Sequence, residues 1–260
     1  MLERLDLIKL QPADRIVDVG CGFGRSLATL AVRYPGACLI GADLADQALA
    51  RAAGKPDRQA SFRAGAKRWL SRLGVGGAQE LPSTMPLFLA TDAHALAVAA
   101  NAIDMVWSNL AAHWFDDPLA AVAEWHRVIR PDGLLMFSAF GVDTLREVRL
   151  QKPASGMAPP AWPTYQDMHD WGDALSAAGF ADPVMDVERL TLTYDDPESF
   201  WRDARSIAML PDLHGELPSP LALSIEVVYG HAWCPPLKRR QDGLATVQFH
   251  PSGAGYNRKF

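Results

Sequence analysis

The segment that most constrains the fold lies near the start of the chain, where residues 15–24 read RIVDVGCGFG. Its first half is a short apolar run rich in β-branched residues, which predicts a buried parallel strand. Three glycines at alternate positions, Gly20, Gly22 and Gly24, then turn the chain into a helical pattern over residues 26–31. A strand, a glycine turn and a helix open a nucleotide-binding βαβ unit, because side chains at the turn would hold a ligand away from the backbone.

The spacing of the glycines separates two kinds of nucleotide site. A dinucleotide site needs the spacing G-x-G-x-x-G, but this chain has G-x-G-x-G, with Arg25 where the third glycine of a dinucleotide site would stand. Asp18 precedes the first glycine by two residues, and the second predicted strand, residues 37–42, is followed by Asp43. A carboxylate at this strand end accepts hydrogen bonds from both hydroxyls of a ribose. The pattern D-x-G-x-G-x-G with an acidic end to the second strand resembles motif I of the class I S-adenosylmethionine-dependent methyltransferases.

The length and composition of the chain fit one α/β domain. Its 260 residues are 49% hydrophobic, which is enough for a full core. We predict a single domain over residues 1–234, with an insertion at 54–84 between the second helix and the third strand and a loop at 151–163. Residues 130–133 predict a turn before the fifth strand. The tail at 235–260 is rich in Pro, Gly and charge, so we expect it to be only partly ordered.

Charge and cysteine content argue against several classes of function. The net charge of −5 leaves no basic excess, so no nucleic-acid partner is expected. No run of eighteen apolar residues occurs, which argues against a membrane span, and no membrane partner is expected. The three cysteines, Cys21, Cys38 and Cys234, lie far apart, as expected for reduced thiols in a cytoplasm. No Cys and His cluster has the spacing of a metal site, so no metal is predicted.

Further polar residues follow other predicted strands. The third strand, residues 87–90, ends before Asp92 and Ala93, and the fourth strand, residues 103–107, is followed by Asn109. The carboxyl ends of the strands are where open α/β sheets bind their ligands. Asp92 is also a good N-cap for a short helix, and both roles are compatible. The sequence therefore predicts a ligand site assembled from several strand ends.

Three other stretches resemble one methyltransferase family, the malonyl-acyl-carrier-protein O-methyltransferases of biotin synthesis. They are WSNLA at 107–111, FSAFGVDTLREVR at 137–149 and EVVYGHAW at 226–233. Motif I is common to many methyltransferases, whereas the F-S-x-F-G-x-D-T-L segment is considerably more selective. The likeness covers most of the chain apart from residues 54–84.

This resemblance implies the fold and the cofactor. The expected fold is α/β and Rossmann-like, with a mostly parallel seven-stranded sheet in the order 3-2-1-4-5-7-6, an antiparallel seventh strand and helices on both faces. The implied cofactor is S-adenosylmethionine, with S-adenosylhomocysteine as its product, and the implied substrate is malonyl-acyl-carrier protein or malonyl-CoA. The residues expected to contact the cofactor are Asp18, Gly20, Cys21, Gly22, Gly24, Asp43, Leu44, Asp92, Ala93 and Asn109.

The resemblance also indicates a substrate site. A malonyl carboxylate is ionised at neutral pH, so methyl transfer to it needs orientation rather than a general base. Arg149 matches the family's arginine and is expected to be catalytic together with Asn109, because a planar guanidinium holds a carboxylate with two bonds. The alternative for Arg149 is a solvated helix face, and His113 is interpreted as a packing or hydrogen-bonding residue. The predicted substrate contacts are Trp114, Phe140, Thr144, Arg146 and Arg149.

Two other functions fit the same motifs. One is a different small-molecule methyltransferase that uses the same cofactor. The other is a cofactor-binding assembly or regulatory protein related to the mitochondrial complex I assembly factors, which share the F-G-x-D-T-L feature. Members of the malonyl-acyl-carrier-protein family usually begin with a helix of the F-D-x-A-A-x-x-Y-D type that folds over cofactor and substrate. The sequence begins after that helix, which points either to a misassigned start or to a missing lid.

Overall fold

The structure is a computed structural model that describes residues 1–8, 14–53, 85–151 and 161–236. The predicted insertion at 54–84 lies outside these ranges, and so do most of the predicted loop at 151–163 and most of the tail at 235–260. Within the described ranges, no helix is both long and apolar enough to cross a membrane.

The described residues form one seven-stranded sheet. Its strands are β1 Arg15–Val19, β2 Cys38–Asp43, β3 Leu87–Ala90, β4 Ile103–Asn109, β5 Ile129–Phe140, β6 Ala181–Thr193 and β7 Ala222–Trp233. Their order in space is β3-β2-β1-β4-β5-β7-β6. The first five strands pair in parallel, and β7 lies antiparallel between β5 and β6. The predicted sheet order and its antiparallel seventh strand are confirmed.

The helices begin and end at residues whose chemistry favours a helix end. The described helices are α1 Arg25–Arg33, α2 Asp46–Ala53, α3 Ala121–Val128, α4 Arg146–Arg149, α5 Met168–Ala178 and α6 Pro197–Ala208, with short 3-10 helices at Leu2–Leu7 and Ala112–Trp114. Asp167 caps α5 in a capping box with Asp170, and Gly179 ends that helix in the left-handed conformation. Asp196 caps α6, whose first residue is a proline.

Apolar cores cover both faces of the sheet. Consecutive residues of a strand point to opposite faces, so Ile16 and Val17 of β1 join different cores. On one face, α3 and α5 contribute Trp125 and Trp171, whose stacked rings have centroids 6.4 Å apart. On the other face, Leu27 and neighbouring apolar residues of α1 are buried. Because both faces are covered, the central strands are apolar nearly throughout.

The predicted turn at 130–133 lies inside β5, which is a correction to the sequence-based prediction. Ile129 pairs with Ile103, and the register then shifts before Leu134 pairs with Met105. Asp132 has a φ of 60°, which places it in the left-handed region. The four residues therefore form an irregular bulge in a continuing strand, since the strand pairing resumes on both sides of them.

An ion pair joins β4 and β5 near their amino ends. Asp104, near the start of β4, accepts hydrogen bonds through Oδ2 from the backbone N–H groups of Asp14 and Arg15, at 3.1 and 2.7 Å. Its Oδ1 accepts from Nε of Arg130, which the bulge in β5 brings alongside. The Asp104 side chain is only 11% exposed. We call this arrangement the Asp104 cluster, and in it both carboxylate oxygens have partners.

Short α4 is fixed against β7 by backbone and side-chain bonds. The Leu145 N–H donates to the Ser224 carbonyl at 2.7 Å. The Thr144 hydroxyl donates to the Glu226 carbonyl at 3.0 Å and accepts from the Glu226 N–H at 3.1 Å. Glu147 Oε2 accepts from the Ser224 N–H at 2.9 Å. These bonds set the position of the helix that ends with Arg149.

Candidate functional site

The glycine turn after β1 is tied closely to its neighbours. The Gly20 and Cys21 N–H groups both donate to the Ala42 carbonyl, at 2.8 and 3.1 Å, which joins the turn to β2. Gly20 has a φ of 72°, and a Cβ added there would lie 2.3 Å from the Cβ of Ala111. Only glycine fits this position, since any side chain would collide with the loop after β4.

The next glycine of the turn faces open space instead of protein. Gly22 has a φ of 51°, and a Cβ added there would meet no described atom within 4 Å. Its N–H donates to Oδ2 of Asp43 at 2.7 Å, while Oδ1 of Asp43 accepts from the Ala45 N–H at 2.8 Å. These two bonds hold the carboxylate at the end of β2, and each oxygen still has a lone pair for a ligand hydroxyl.

Asp18 is a buried carboxyl group one residue before the end of β1. It is 1% exposed, and its Oδ2 has no hydrogen-bond partner among the described residues. Burial, reinforced by the negative charge of Asp43, raises the pKa of Asp18 to about 8. A buried carboxyl oxygen without a partner is costly, so its presence at the turn indicates a place for a ligand that hydrogen-bonds to it.

The Cys21 thiol beside it is a packing group. Burial raises the pKa of this thiol, and the nearby carboxylates of Asp18 and Asp43 raise it further. A thiol of this kind is protonated and unreactive at neutral pH. No group of three or more His, Cys, Asp or Glu side chains in the described ranges is arranged to hold a metal ion.

The loop after β3 lies next to Asp43 because the Thr91 N–H donates to the Asp43 carbonyl at 3.0 Å. Asp92 is exposed, and its Oδ1 lies 2.8 Å from the His94 backbone nitrogen and 2.7 Å from His94 Nδ1. The hydrogen bond from the His94 N–H holds the pKa of Asp92 below its usual range. Ala93 is buried, whereas Leu44 is 75% exposed beside Asp43. The structure thus brings these predicted contacts to one edge of the sheet, and their role in binding stays a prediction.

Asn109 ends β4 with its amide orientation set by a neighbour. The Ser138 hydroxyl donates to Asn109 Oδ1 at 3.0 Å, and the Leu110 N–H donates to that hydroxyl at 3.1 Å. With the oxygen held by Ser138, the amide nitrogen is the end of Asn109 that is left to donate to a ligand. Asn109 therefore lies between the glycine turn on one side and the end of β5 on the other, as the strand order requires.

Beyond Asn109 lies an aromatic cluster formed by His113, Trp114, Phe140 and Tyr165. The His113 ring centroid is 4.9 Å from that of Trp114, 4.6 Å from that of Phe140 and 6.0 Å from that of Tyr165. His113 is buried, and its Nδ1 accepts from the Phe140 N–H at 3.2 Å. Burial lowers the pKa of His113 to about 3, so the ring is neutral and carries its proton on Nε2.

Arg149 reaches this aromatic cluster from α4. Its guanidinium carbon lies 4.6 Å from the centroid of the Tyr165 ring, a cation–π contact. Nη1 donates to the carbonyls of Val142 and Thr144, at 2.7 and 3.1 Å. Nε and Nη2 make no hydrogen bond within the described part of the chain, so one planar two-donor edge is left for a ligand. Arg149 is therefore fixed against Tyr165 instead of projecting freely from a solvated helix face.

Three other predicted substrate contacts have different surroundings. Thr144 is fully buried, and its hydroxyl exchanges both of its hydrogen bonds with the backbone of Glu226. Arg146 is 54% exposed and lies within 4.0 Å of Asp143 and 3.4 Å of Glu147. Trp114 is 38% exposed at the rim of the cluster. Their contacts with substrate stay predictions. Phe140, another predicted contact, has its ring centroid 6.5 Å from that of Tyr165, the neighbour of Arg149.

Tyr165 is a member of the aromatic cluster that sequence reasoning misses. It follows the segment predicted as a loop, and no motif or spacing connects it to His113 or Arg149. Its hydroxyl is buried without a partner in the described ranges, and burial raises its pKa to about 12. Only the packing of the strand ends brings this phenol to the cluster.

Comparison with known proteins identifies relatives over most of the chain. A family model described as a methyltransferase domain matches residues 17–137. The malonyl-(acyl-carrier protein) O-methyltransferase of Gallionella capsiferriformans is 39% identical, with 95% of this chain and 86% of the relative covered. The enzyme of the same name from Laribacter hongkongensis is 38% identical, with 96% and 86% covered.

Solved structures share the fold. A putative methyltransferase from Bacillus halodurans gives a TM-score of 0.58 at 17% identity, over 90% of this chain and 98% of that one. An arsenic(III) S-adenosylmethionine methyltransferase from Chlamydomonas reinhardtii gives 0.50 at 20% identity, over 89% and 68%. These likenesses confirm the predicted Rossmann-like class I fold. The two sequence relatives, at 39% and 38% identity over most of both chains, show that this chain belongs to the malonyl-(acyl-carrier protein) O-methyltransferase family.

Proposed function

We propose that this protein is an S-adenosylmethionine-dependent O-methyltransferase that methylates the free carboxylate of a malonyl thioester in biotin synthesis. The observation that carries the proposal is the position of Arg149, a fixed guanidinium with a two-donor edge, against Tyr165 of the aromatic cluster at the carboxyl end of β5. Family membership supports the same activity. The thioester carrier is acyl-carrier protein or coenzyme A, with the relatives' names favouring the former.

The residues at the glycine turn fit the cofactor. Gly22 leaves open space beside its backbone, Asp43 is held in place with acceptor capacity for ribose hydroxyls, and Asp18 supplies a buried acceptor without a described partner. When bound, S-adenosylmethionine supplies a methyl group on a sulfonium sulfur, whose S–CH3 bond breaks with its electron pair left on sulfur as the carboxylate oxygen forms an O–CH3 bond. The positive and negative charges disappear together, and no proton moves.

The protein's task in such a reaction is orientation. Holding two reactants in line is worth up to roughly 7–11 kcal/mol of barrier. The Nε and Nη2 edge of Arg149 matches the two oxygens of a carboxylate, and its Nη1 bonds to Val142 and Thr144 keep that edge from rotating. Because the carboxylate loses its charge in the transition state, an excess of positive charge around it would stabilise the ground state and slow the reaction.

The experiment is methyl transfer to malonyl-acyl-carrier protein and to malonyl-CoA by the wild type, Arg149→Ala and Arg149→Lys. We expect both variants to lose about ten- to two-hundredfold in rate, since a charge-assisted hydrogen bond is lost and lysine lacks the planar edge. Affinity for S-adenosylhomocysteine should stay within about twofold, because its predicted contacts come from β1 to β4. Arg202→Ala, at an exposed arginine of α6 that belongs to no predicted contact, is the matched control.

Two results would contradict the proposal. If the wild type bound S-adenosylhomocysteine but methylated neither thioester, the substrate assignment would be wrong. If Arg149→Ala and Arg149→Lys both kept rates near that of the wild type, Arg149 would not hold the carboxylate. Thermal melts of each variant separate these results from a failure to fold.

A further inference from the structure

Two neutral donors in the aromatic cluster have no partner among the residues that the structure describes. Nε2 of His113 and the hydroxyl of Tyr165 are both buried, and neither makes a hydrogen bond with any described residue. Their rings have centroids 6.0 Å apart. Most buried polar groups are paired, so two orphaned donors on adjacent rings indicate an acceptor that binds there.

The chemistry of both groups is fixed by their surroundings. His113 Nδ1 accepts from the Phe140 N–H, so its neutral ring carries a proton on Nε2 and presents a donor there. Tyr165 faces an apolar cluster and the guanidinium of Arg149, and its phenol keeps its proton at neutral pH. Neither group is suited to take a proton from a substrate. Each is suited to donate a hydrogen bond to an oxygen.

These donors lie on the substrate side of the sheet edge. His113 accepts a hydrogen bond from Phe140 at the end of β5. Arg149 lies over the ring of Tyr165, another member of the cluster. The glycine turn and Asp43 are on the other side of β4. The rings of His113 and Tyr165 and the guanidinium of Arg149 are therefore neighbours in one cluster, on the opposite side of β4 from the glycine turn.

We propose that the His113 Nε2–H and the Tyr165 hydroxyl bind the carboxylate of the malonyl group together with Arg149, an inference that rests on the proposed function. Neutral donors orient the carboxylate oxygens without adding a second positive charge. They therefore leave the carboxylate more reactive than a second arginine or lysine would. The cluster selects a substrate end that is both anionic and small enough to lie among four rings.

Two substitutions at His113 distinguish the roles of its two ring nitrogens. His113→Gln places an amide N–H near the position of Nε2 and removes the acceptor at Nδ1. His113→Asn keeps an acceptor near Nδ1 for the Phe140 N–H and removes the donor at Nε2. Tyr165→Phe removes only the hydroxyl, and Tyr229→Phe is its matched control, because the Tyr229 hydroxyl donates to Glu188 on β6 at 3.0 Å, outside the cluster.

Each variant is assayed for methyl transfer to malonyl-acyl-carrier protein and for binding of malonyl-CoA at saturating S-adenosylhomocysteine. We expect Tyr165→Phe and His113→Asn to lose about ten- to a hundredfold in kcat/KM and in malonyl-CoA affinity. His113→Gln should stay within a few-fold of the wild type, and Tyr229→Phe should match it. Affinity for S-adenosylhomocysteine and the melting temperature are measured alongside.

The outcomes distinguish this inference from the proposed function. Wild-type inactivity on both malonyl thioesters would overturn the two together. An active wild type with Tyr165→Phe and His113→Asn within twofold of it would overturn the inference alone. So would activity in His113→Asn with loss in His113→Gln, since that pattern assigns His113 only the structural bond to Phe140.

Discussion

The buried polar groups at the two ends of the sheet differ in whether they have hydrogen-bond partners. At the amino end, the Asp104 cluster pairs both carboxylate oxygens with two backbone N–H groups and the Arg130 guanidinium. At the carboxyl end, Asp18 Oδ2, Ser108 Oγ, His113 Nε2 and the Tyr165 hydroxyl have no partner among the described residues. Burial of the two aspartates is similar, at 8% exposure for Asp104 and 1% for Asp18.

We interpret this difference as one between a carboxylate that stabilises the fold and polar groups that are left to bind a ligand. A buried polar group without a partner costs about 1–3 kcal/mol, and more when it is charged. The fully bonded end uses its carboxylate to join β1, β4 and β5. At the carboxyl end, the buried groups without partners lower the stability of the ligand-free protein. A ligand that hydrogen-bonds to them offsets this loss. Three tryptophan Nε1 groups in the core also lack described partners, so the contrast concerns the carboxyl, hydroxyl and imidazole groups.

Asp18→Asn gives the largest effect expected from this comparison. In the folded protein the pKa of Asp18 is raised from 3.8 to about 8, so the folded state holds a proton that the unfolded chain releases between those pH values. The wild type therefore loses stability from this group as pH rises from about 4 to 8. The variant should gain stability over the wild type through that window, by up to roughly 5 kcal/mol at pH 8.

The same Asp18→Asn variant should bind S-adenosylhomocysteine and S-adenosylmethionine more weakly, although it is more stable. Urea unfolding at pH 5 and pH 8, with calorimetric titration of both ligands, measures the two effects. Asp116→Asn, at an exposed aspartate, is the control. A stability difference that did not grow with pH would show that Asp18 is ionised or partnered in the folded protein.

Asp104→Ala tests the amino end, where the opposite sign is expected. It leaves two backbone N–H groups and the Arg130 guanidinium without their acceptor, so we expect a loss of about 3 kcal/mol of unfolding free energy. Asp186→Ala removes an exposed ion pair with Arg4 and should cost less than about 1 kcal/mol. Urea unfolding measures both. If Asp104→Ala were neutral, the contrast between the two ends would be wrong.

Asp43→Ala sharpens the comparison within the carboxyl end. It removes the acceptor for Gly22 and the predicted ribose contact, so affinity for S-adenosylhomocysteine should fall by about 1.5–3 kcal/mol. Asp46→Ala changes the net charge equally from the exposed start of α2 and should leave affinity unchanged. Calorimetric titration measures the affinity of each variant for S-adenosylhomocysteine. Equal affinities would show that Asp43 does not contact the cofactor.

Gly22→Ala gives the smallest effect on stability. Its positive φ disfavours alanine by about 1 kcal/mol, but no described atom lies within 4 Å of the added Cβ. Gly36→Ala is the control, since Gly36 also combines a positive φ with open space. Both variants should fold with a modest loss in thermal melts, and only Gly22→Ala should weaken cofactor binding. Equal binding by both would show that the space beside Gly22 is not occupied by the cofactor.

The two halves of the site differ in how far the sequence predicts them. The glycine turn and Asp43 follow from local spacing, because a strand, a turn and the next strand end bring them together. The sequence predicts His113 as a packing or hydrogen-bonding residue. It does not show which ring nitrogen lacks a partner among the described residues, because that depends on where β5 places the Phe140 N–H. Tyr165 has no local signal at all. The composition of residues 130–133 predicts a turn, because nothing local indicates that β5 continues through Arg130 and brings it to Asp104.

The position of β7 has a consequence for how the chain is made. This strand is the last of the described sheet in sequence, yet it lies between β5 and β6, which precede it. While a ribosome is still translating residues before Ala222, β5 and β6 have no neighbour on the sides that β7 will cover. Both then present open strand edges of the kind that pair with other chains. Protection from aggregation during synthesis therefore arrives late, with the same strand that anchors the helix of Arg149.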